Sequence, residues 1–410
     1  MAAEYDPQRP HGHVEWRVHE GLPVAEIVNN WHCGSFEETY RPPLVGDRIA
    51  SVLRATQPDV VHVHNLLNLS MELPALARRA GARVVATLHD YTLVCPSGGQ
   101  RLHRAEQHIC RTIDVERCAR CFGESPFAAQ MTVGSTPAAL QRVALMVKRH
   151  APGLAARAAK AVTAAVPSKA SAADMATRLD AARGLFDQID LFISPSASLA
   201  REYVSLGLPA AKIRVSDNGM VPLPAGPQRR RQPGAPVRFG FVGTIAWHKG
   251  VHVLIDALKL LPARSAEVIV FGDETVAPDY AATLRRQSAG VPVTFAGAFG
   301  RDRLADVYTR FDVLVVPSLW LENSPLVIHE AFMAGMPVVG SNLGGTADLI
   351  EHGVSGLLYD AYSHEALASA LRTFTDDAAK VDEFAARVPD VKLIDEDARD
   401  WDARYAEVLA

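Results

Sequence analysis

The stretch Val313–Gly345, VLVVPSLWLENSPLVIHEAFMAGMPVVGSNLGG, has the pattern of a strand, a loop, a helix and a second strand. The unbroken apolar run Val313–Val316 predicts a strand that is buried on both faces. Ser324 followed by Pro325 has the form of a side-chain N-cap with proline at the first helical position. We therefore predict a helix over 325–333, and this order of elements indicates a parallel α/β sheet.

Two carboxylates of this stretch are candidate binding groups. Glu322 precedes the predicted helix, and Glu330 lies inside it among apolar neighbours. Ligands of open α/β sheets bind beyond the carboxyl ends of the strands, so both acids are predicted to face that crevice. A carboxylate can accept two hydroxyl hydrogen bonds at once, which suits the vicinal diols of ribose or hexose better than phosphate. The alternative is that both are solvated acids that the helix dipole stabilises.

The complete string resembles the nucleotide-sugar site of glycosyltransferase family four, of the GT-B type. The resemblance is carried by E-x7-E between Pro-Ser and E-A-x3-G-x-P-V-V, followed by Gly344-Gly345. It implies that Glu322 contacts the donor hexose and that Glu330 contacts the nucleotide ribose. The resemblance extends through most of the chain and implies an α/β fold in which two Rossmann-like domains face each other across a cleft.

Length and composition restrict the classes of protein that fit. A chain of 410 residues is long for one core, so two domains are expected. Its net charge of −4 gives no general attraction to nucleic acid, and none is expected as a partner. No apolar run reaches the roughly 18 residues of a membrane span, and the first residues lack the pattern of a signal peptide. We expect a cytoplasmic protein.

The predicted domains follow the alternation of strand and helix patterns. They are an acceptor-side Rossmann-like domain over 1–220, a Pro/Gly/Arg-rich linker over 221–236 and a donor domain over 237–390. A terminal helix over 391–410 is expected to pack back on the first domain. Relatives usually begin with a strand, a glycine-rich loop and a helix, and nothing here matches that unit. Either the start is truncated or the first domain is built differently.

The diphosphate of the donor has a predicted cradle after the strand Val237–Gly243. There Lys249-Gly250 leads into a helix, whose N-terminal amides favour anions. Relatives commonly have an arginine and a lysine here, and Thr244 takes the place of the arginine. Lys249 is therefore expected to provide more of the stabilisation of the diphosphate's negative charge, unless Arg301 or Arg303 supplies a second cation. The resemblance also places Gly272 and 295–298 at the base pocket, and Gly344-Gly345 forms a second anion nest. The predicted donor-binding residues are Gly243, Thr244, Lys249, Gly272, Phe295, Gly297, Glu322, Asn323, Ser324, Glu330, Gly344 and Gly345.

In the first domain, His89-Asp90 follows a predicted strand and matches the family's T-x-H-D pattern. The resemblance implies that His89 contacts the donor sugar near the reaction centre, whereas a lone histidine after a strand is often only a structural hydrogen-bonder. His62, His64 and Asn65 are weaker acceptor-side candidates. The predicted catalytic residues are His89, Lys249 and Glu322.

Four of the five cysteines form a C-x14-C-x7-C-x2-C pattern, made by Cys95, Cys110, Cys118 and Cys121. Four thiolates in one loop can close a tetrahedral Zn²⁺ site without an open position for water, so we predict a structural zinc. His103 or His108 could replace a ligand. The alternatives are unliganded thiols or a redox pair at Cys118 and Cys121.

The segment 125–173 is rich in alanine and contains Lys and Arg but no Asp or Glu. It is predicted to be helical. Its basic and apolar residues fit peripheral contact with anionic lipid at the inner membrane face, or equally an ordinary solvated helix.

Together these patterns predict a retaining glycosyltransferase. It would move a sugar from a nucleoside-diphosphate sugar to the hydroxyl of an acceptor sugar, a lipid-linked sugar or a small molecule, with no cofactor required for catalysis. Polysaccharide, glycolipid or natural-product glycosylation are the expected settings. The alternatives are a nucleotide-sugar epimerase of GT-B shape and a catalytically inactive nucleotide-sugar-binding subunit.

Overall fold

The computed structural model describes residues 1–125, 127, 128, 131, 138–151, 153–155, 157, 158, 170–223 and 234–410. The chain divides into two compact units. The first unit comprises Met1–Ser194, Ala200–Arg214 and Arg404–Ala410, and the second comprises Pro195–Leu199 and Val215–Ala403. Most of the predicted linker, including its arginine triplet, lies outside the described residues.

The first unit is built on two sheets. A four-stranded sheet has the order β4-β5-β8-β9, with β4–β5 and β5–β8 parallel. Its strands are β4 Val60–Val63, β5 Arg83–Thr87, β8 Leu191–Ser194 and β9 Ile213–Val215. The strands β5 and β8 are the apolar ones and are the most deeply buried, as expected for strands covered on both faces.

The start of the chain forms a separate three-stranded sheet of order β1-β3-β2. It consists of β1 Ala2–Glu4, β2 Val14–His19 and β3 Leu22–Val28. The strand β3 contains the buried residues of this sheet, whereas β2, which pairs with it antiparallel, is exposed. No helix lies between β1 and β3, so this end is built without the strand, glycine-rich loop and helix that the resemblance implies.

Helices connect and cover the strands of the first unit. A hairpin, β6 Leu102–His103 and β7 His108–Ile109, precedes the cysteine-bearing helix α3. The helices of the first unit are α1 Pro43–Thr56, α2 Leu73–Arg79, α3 Val115–Gly123, α4 Ala138–His150, α5 Ala172–Gln188 and α6 Ala197–Ser205, the start of α6 belonging to the second unit.

The second unit contains a six-stranded sheet in which every recorded pairing is parallel. Its order is β12-β11-β10-β13-β14-β15. The strands are β10 Val237–Val242, β11 Ala266–Phe271, β12 Val293–Gly297, β13 Val313–Val316, β14 Val338–Ser341 and β15 Gly356–Tyr359. In chain order this is 3-2-1-4-5-6, the arrangement of a dinucleotide-binding sheet, and the order reverses between β10 and β13.

Helices flank this sheet on both faces, as parallel connections require. The helices of the second unit are α7 Val251–Lys259, α8 Pro278–Gln287, α9 Leu304–Tyr308, α10 Leu326–Met333, α11 Gly344–Leu349, α12 His364–Asp376, α13 Ala379–Ala385 and α14 Ile394–Leu409, the end of α14 from Arg404 belonging to the first unit. Two buried clusters of apolar side chains form the core of the unit. Each fully buried Val, Leu or Phe contributes about 1.5–3 kcal/mol relative to exposure.

The reversal point between β10 and β13 is held by polar as well as apolar contacts. Asp312, which is fully buried, accepts hydrogen bonds from the backbone N of Arg238 at 2.9 Å and from its Nη2 at 2.9 Å. Phe311 packs flat against Gly240, where an added Cβ would lie 2.3 Å from the ring. Only glycine fits there, and its lack of a side chain allows β10 and β13 to pair while the Phe311 ring lies against Gly240.

The N-terminus of α10 differs from the prediction. The helix α10 begins at Leu326 with Pro325 as N-cap, so the predicted side-chain cap by Ser324 is wrong. The Ser324 hydroxyl contacts other side chains instead.

Within the described part of the chain, no helix is both long enough and apolar enough to cross a bilayer.

Candidate functional site

The candidate site lies where the strand order of the second unit reverses. The loops after β10 and β13 leave neighbouring strands at the same edge of the sheet, which is where such sheets bind ligands. The Leu319 amide donates to the His248 carbonyl oxygen at 2.8 Å, so the two loops are in direct contact. Residues from both loops therefore converge, although they are about seventy positions apart in the chain.

Lys249 and Glu322 meet at this point. Lys249 Nζ lies 2.7 Å from Glu322 Oε1, and the Ser318 hydroxyl donates to the same oxygen at 2.6 Å. Glu322 is 6% exposed, and the ammonium lies 5.3 Å from the centre of the Trp320 ring. Glu322 Oε2 makes no hydrogen bond or ion pair within the described residues, so it is available to an outside donor.

Glycines allow the loops of the site to approach closely. Gly250 has φ +75°, and a Cβ there would lie 1.8 Å from the Pro317 carbonyl oxygen. A Cβ on Gly345 would lie 1.9 Å from the Asn323 carbonyl oxygen. The Gly345 amide donates to the Glu322 carbonyl oxygen at 2.7 Å, so this N–H of the predicted anion nest is engaged within the chain.

Glu330 has a partner of its own. The Tyr308 hydroxyl donates to Glu330 Oε2 at 2.7 Å and also contacts the Val327 carbonyl oxygen at 3.2 Å. Burial raises the pKa of Glu330, while the hydrogen bond from Tyr308 and the nearby charge of Arg301 oppose that shift. Arg301 is thus close to Glu330, and the phenol fixes one carboxylate oxygen, while the other has no hydrogen-bond partner in the part of the chain that the structure describes.

Ser324 belongs to a third polar group. Its hydroxyl donates to Asp217 Oδ1 at 3.0 Å and lies 3.0 Å from His329 Nε2. His329 is buried and lies 3.3 Å from the same carboxylate oxygen. Burial raises the pKa of Asp217, but hydrogen bonds and the charge of His329 outweigh it and lower the pKa overall. Ser324 therefore holds the loop before α10 in place.

The predicted base-pocket glycines come together at the ends of β10, β11 and β12. The Gly272 amide donates to the Gly297 carbonyl oxygen at 3.0 Å, and a Cβ on Gly272 would lie 2.2 Å from the Gly243 carbonyl oxygen. Phe295 is half-buried against the core, with the Arg285 guanidinium 4.8 Å from its ring centre. Thr244 is exposed beside these glycines.

In the first unit, the histidines after β4 and β5 form one array. His64 Nδ1 lies 2.9 Å from His89 Nε2, and the His62 and His64 rings are 4.1 Å apart. His62 contacts the Thr87 hydroxyl at 2.8 Å and the Tyr405 hydroxyl at 2.7 Å. Burial and the charges of the other two histidines lower the pKa of His62 to about 3, and burial also lowers the pKa of His64 and His89. The imidazoles are therefore neutral near pH 7.

The four clustered cysteines line a single cavity of about 30 Å³ in the first unit. Burial raises the pKa of Cys118 to about 12 and that of Cys121 to about 11. The two histidines named as substitute ligands have other partners. His103 Nε2 lies 2.8 Å from Glu124, and His108 Nε2 lies 3.0 Å from Arg117 Nη1.

Some contacting residues were not identified from the sequence. Ser318 and Tyr308 hold the two carboxylates, and Trp320 lies beneath the ammonium. Ser318 belongs to the Pro-Ser pair that ends the strand, so its position was a usable signal. Tyr308 is on a different helix, and no local pattern connects it with Glu330.

Comparison with known families gives two matches along the chain. Residues 236–377 match the family model described as glycosyl transferases group 1, and residues 7–146 match the model described as glycosyltransferase family 4. The first of these contains Lys249, Glu322 and Glu330.

Several curated relatives match in part. A D-inositol 3-phosphate glycosyltransferase of Rhodococcus opacus is 36% identical over 159 residues, covering 36% of this chain and 35% of the relative. A GDP-mannose-dependent alpha-mannosyltransferase of Corynebacterium glutamicum is 33% identical over 186 residues, covering 43% of this chain and 41% of the relative. The matches therefore span well under half the length of these relatives.

Solved structures share the fold across nearly the whole chain. A sucrose-phosphate synthase of Thermosynechococcus elongatus has a TM-score of 0.60 at 17% identity, covering 99% of this chain and 87% of the other. The Anabaena protein HepE, solved with UDP and glucose, has a TM-score of 0.57 at 18% identity, covering 88% and 82%. These likenesses confirm the predicted α/β fold of GT-B type, with two Rossmann-like units.

Proposed function

The chain belongs to the group 1 glycosyltransferases of family four, since the two family models together match more than half of its residues, and we propose that it transfers a glycosyl unit from a nucleoside-diphosphate sugar to an acceptor hydroxyl. The observation that carries the proposal is the Lys249–Glu322 pair at the strand-order reversal of the second unit. A cation and a carboxylate with an open oxygen at this edge match the two parts of such a donor.

Each part of the donor has a chemically suitable group. The ammonium of Lys249 suits the diphosphate, whereas the amides of Lys249 and Gly250 donate within their own loop, to the carbonyl oxygens of Ala246 and Trp247. The open oxygens of Glu322 and Glu330 suit hydroxyls of the hexose and the ribose. The base would lie against the backbone of Gly243 and Gly297, where an added Cβ would meet no atom closer than 3.5 Å, whereas the missing side chain of Gly272 lets the Gly243 carbonyl oxygen approach.

The proposed reaction proceeds with retention at the anomeric carbon. The bond from that carbon to the diphosphate oxygen breaks and its electron pair leaves with the diphosphate, while the acceptor oxygen bonds to the same carbon on the same face. The acceptor proton passes to the departing phosphate oxygen. Lys249 stabilises the negative charge that develops on the diphosphate.

The test replaces Lys249, Glu322 and Glu330 singly by Ala. A screen of UDP- and GDP-sugars by thermal shift identifies the donor first, because the relatives differ in the nucleotide that their names carry. We then expect each variant to lower turnover about 10²–10³-fold, the usual loss when a group that stabilises developing charge is removed. Lys259→Ala is the matched control, since this exposed lysine pairs with Asp256 away from the site.

Folding needs a separate check, because removing Lys249 leaves the Glu322 carboxylate buried and unpaired. Such a loss costs about 3–5 kcal/mol. The double variant Lys249→Met with Glu322→Gln removes both charges and is expected to fold but remain inactive. Unchanged turnover in all three alanine variants would show that the site is elsewhere.

The product identifies the reaction. Transfer gives a glycosylated acceptor whose anomeric configuration, read by NMR, matches that of the donor. Epimerised or free sugar without any acceptor would instead indicate the epimerase. Binding of nucleotide by calorimetry with no turnover on any acceptor would indicate an inactive binding subunit, which the exposed Thr244 at the family's arginine position would explain.

We also propose that the acceptor is lipid-linked and that α4 contacts the anionic surface of its membrane. In α4 the apolar side chains of Leu140, Val143 and Met146 are more than half exposed. Much of the surrounding basic segment lies outside the described residues. We expect co-sedimentation with vesicles that contain anionic lipid but not with zwitterionic ones, and a clear loss of binding in Met146→Glu. Equal sedimentation of Met146→Glu, or none for the native protein, would contradict this contact.

A further inference from the structure

The clustered cysteines come from separate pieces of chain that the fold brings to one small space. Cys95 follows β5 after a turn, Cys110 directly follows β7, and Cys118 and Cys121 lie one turn apart on α3. All four line the same cavity of about 30 Å³, which has room for roughly one water-sized sphere. Cys33, the fifth cysteine of the chain, is not among the lining residues.

Short-range backbone contacts hold these pieces in place. The Cys95 amide donates to the Tyr91 carbonyl oxygen at 2.7 Å, and the Cys110 amide donates to the Arg101 carbonyl oxygen at 2.8 Å. The Asp114 side chain caps α3. The regular structure between Cys95 and α3 is otherwise a hairpin of two-residue strands, so this region has little apolar core of its own.

A buried positive charge lies near Cys95 and Cys118, although Arg178 is not itself among the residues that line the cavity. Arg178 is 8% exposed and donates to the carbonyl oxygens of Thr92 and Leu93 at 2.7 and 3.0 Å. It forms no ion pair with a carboxylate of the described residues, and Cys95 and Cys118 are among its neighbours. A buried guanidinium without a counter-ion is costly unless an anionic group lies near it.

A second arginine faces the same cavity. Arg101 is 4% exposed and lines it, and its Nη atoms contact Glu202 and the Arg111 carbonyl oxygen. Its Nε is buried and has no hydrogen-bond partner in the part of the chain that the structure describes. An unused N–H beside sulfur atoms fits a donor to a thiolate, which accepts hydrogen bonds better than a neutral thiol.

We propose that Cys95, Cys110, Cys118 and Cys121 bind one Zn²⁺ as a structural site. Four thiols release four protons to solvent as four zinc–sulfur bonds form, and the resulting centre carries a net charge of −2. Arg178 offsets part of that charge, and Arg101, whose own charge is paired with Glu202, offers its unused Nε–H to a thiolate. Four sulfur ligands leave no position for water, so the site ties the hairpin and α3 to the strand β5 and performs no chemistry.

The sulfur atoms have to move closer together for this. As the side chains stand, no three His, Cys, Asp or Glu residues of the described ranges are grouped to hold a metal ion. Rotation about one Cα–Cβ bond moves a sulfur atom by about 3 Å, which is within the range of ordinary rotamer changes. The proposal uses none of the donor-site residues of the second unit and is independent of the proposed sugar transfer.

The first test counts metal in purified protein. After growth with zinc and gel filtration with a weak chelator, we expect about one zinc per chain by mass spectrometry. Cys118→Ser and Cys121→Ser are each expected to lose it, whereas Cys33→Ser, the matched control, retains it. Less than about a tenth of a zinc per native chain, or full zinc content in both serine variants, would overturn the site.

The second test does not depend on the folding of variants. Native protein stripped of zinc and loaded with Co²⁺ is expected to show the visible bands of tetrahedral cobalt thiolate, and zinc should displace them. Unfolded, chelator-treated protein should titrate five reactive thiols, equal to the number of cysteines. Three reactive thiols, or octahedral cobalt spectra, would overturn the proposal in favour of a disulfide or of weak surface binding.

Discussion

At the scale of single residues, each candidate carboxylate has one oxygen held by the protein and one left open. Tyr308 holds Glu330 in this way from α9, although it makes no predicted contact with the donor. It is therefore a positioning residue. The sequence indicated Glu330 through the family motif, whereas its phenol partner could not be found, because a contact across twenty-two positions and two helices leaves no local pattern.

We predict that Tyr308→Phe raises the KM for the sugar donor about five- to tenfold while kcat changes less than twofold. The lost hydrogen bond is worth roughly 1 kcal/mol, and it orients Glu330 equally in the ground state and the transition state. Steady-state kinetics with varied donor measures both constants. Tyr280→Phe is the control, because Tyr280 is a partly buried phenol of the same unit that contacts His252 instead. Equal KM effects in both variants would refute the positioning role.

At the scale of elements, the buried apolar runs predicted the parallel strands well. The stretch Val313–Val316 is strand β13 as predicted, and its four residues are all buried. The N-cap assigned to Ser324 failed because Asp217, which is 107 positions away, and His329, in the following helix, compete for that hydroxyl. Short exposed strands such as β2 were missed because they lack a buried face that would produce a periodic pattern.

The glycine in the loop before α7 is also required by a contact that the sequence does not reveal. A glycine before a helix is common, but the need for glycine at Gly250 comes from Pro317 in another loop. We predict that Gly250→Ala lowers the free energy of unfolding by about 3 kcal/mol or more, through left-handed strain together with overlap. Gly290→Ala, at φ +81° with no atom within 4 Å of the added Cβ, should cost only about 1 kcal/mol.

Urea unfolding of the two alanine variants compares these costs directly. The backbone conformations are nearly the same, so the difference between the two losses isolates the contact with Pro317. Equal losses would mean that the two loops separate easily, and the site would then lack the rigid geometry described for Lys249 and Glu322.

At the scale of the whole molecule, the family motif and the alternation of elements predicted the fold class and the candidate donor site. They could not predict the strand order 3-2-1-4-5-6, which brings Lys249 beside Glu322, because order depends on which strands pair across the chain. The histidine array has the same origin. His62 contacts Tyr405, which is 343 positions away.

This array predicts how the stability of the protein depends on pH. The pKa of His62 is lowered to about 3 by burial and by its neighbours, below the ordinary value of 6.5, so the folded state favours the neutral ring. The unfolded chain therefore binds a proton that the folded chain excludes. The free energy of unfolding therefore has its full value above pH 6.5 and declines as the pH falls below that value. His64 and His89, whose pKa values are also lowered, change it in the same direction.

We expect the free energy of unfolding, measured in urea, to fall between pH 7.5 and 5.5. In His62→Asn the slope of the free energy of unfolding against pH should decrease by the equivalent of up to about one bound proton. Tyr405→Phe removes the hydrogen bond but keeps the imidazole, so it should lower stability at every pH without changing the slope. A slope that is the same in His62→Asn and the native protein would show that this ring does not control acid sensitivity.

The resident pairing of Lys249 with Glu322 has a consequence for ligand selectivity. An anion that approaches the ammonium must compete with a carboxylate 2.7 Å away, whereas a ligand that also offers hydroxyls to that carboxylate compensates for the broken pair. Bare phosphate, and nucleotide that has lost its sugar, are thereby disfavoured relative to the intact donor. The same contact that neutralises the lysine at rest would favour release of the spent nucleotide after transfer.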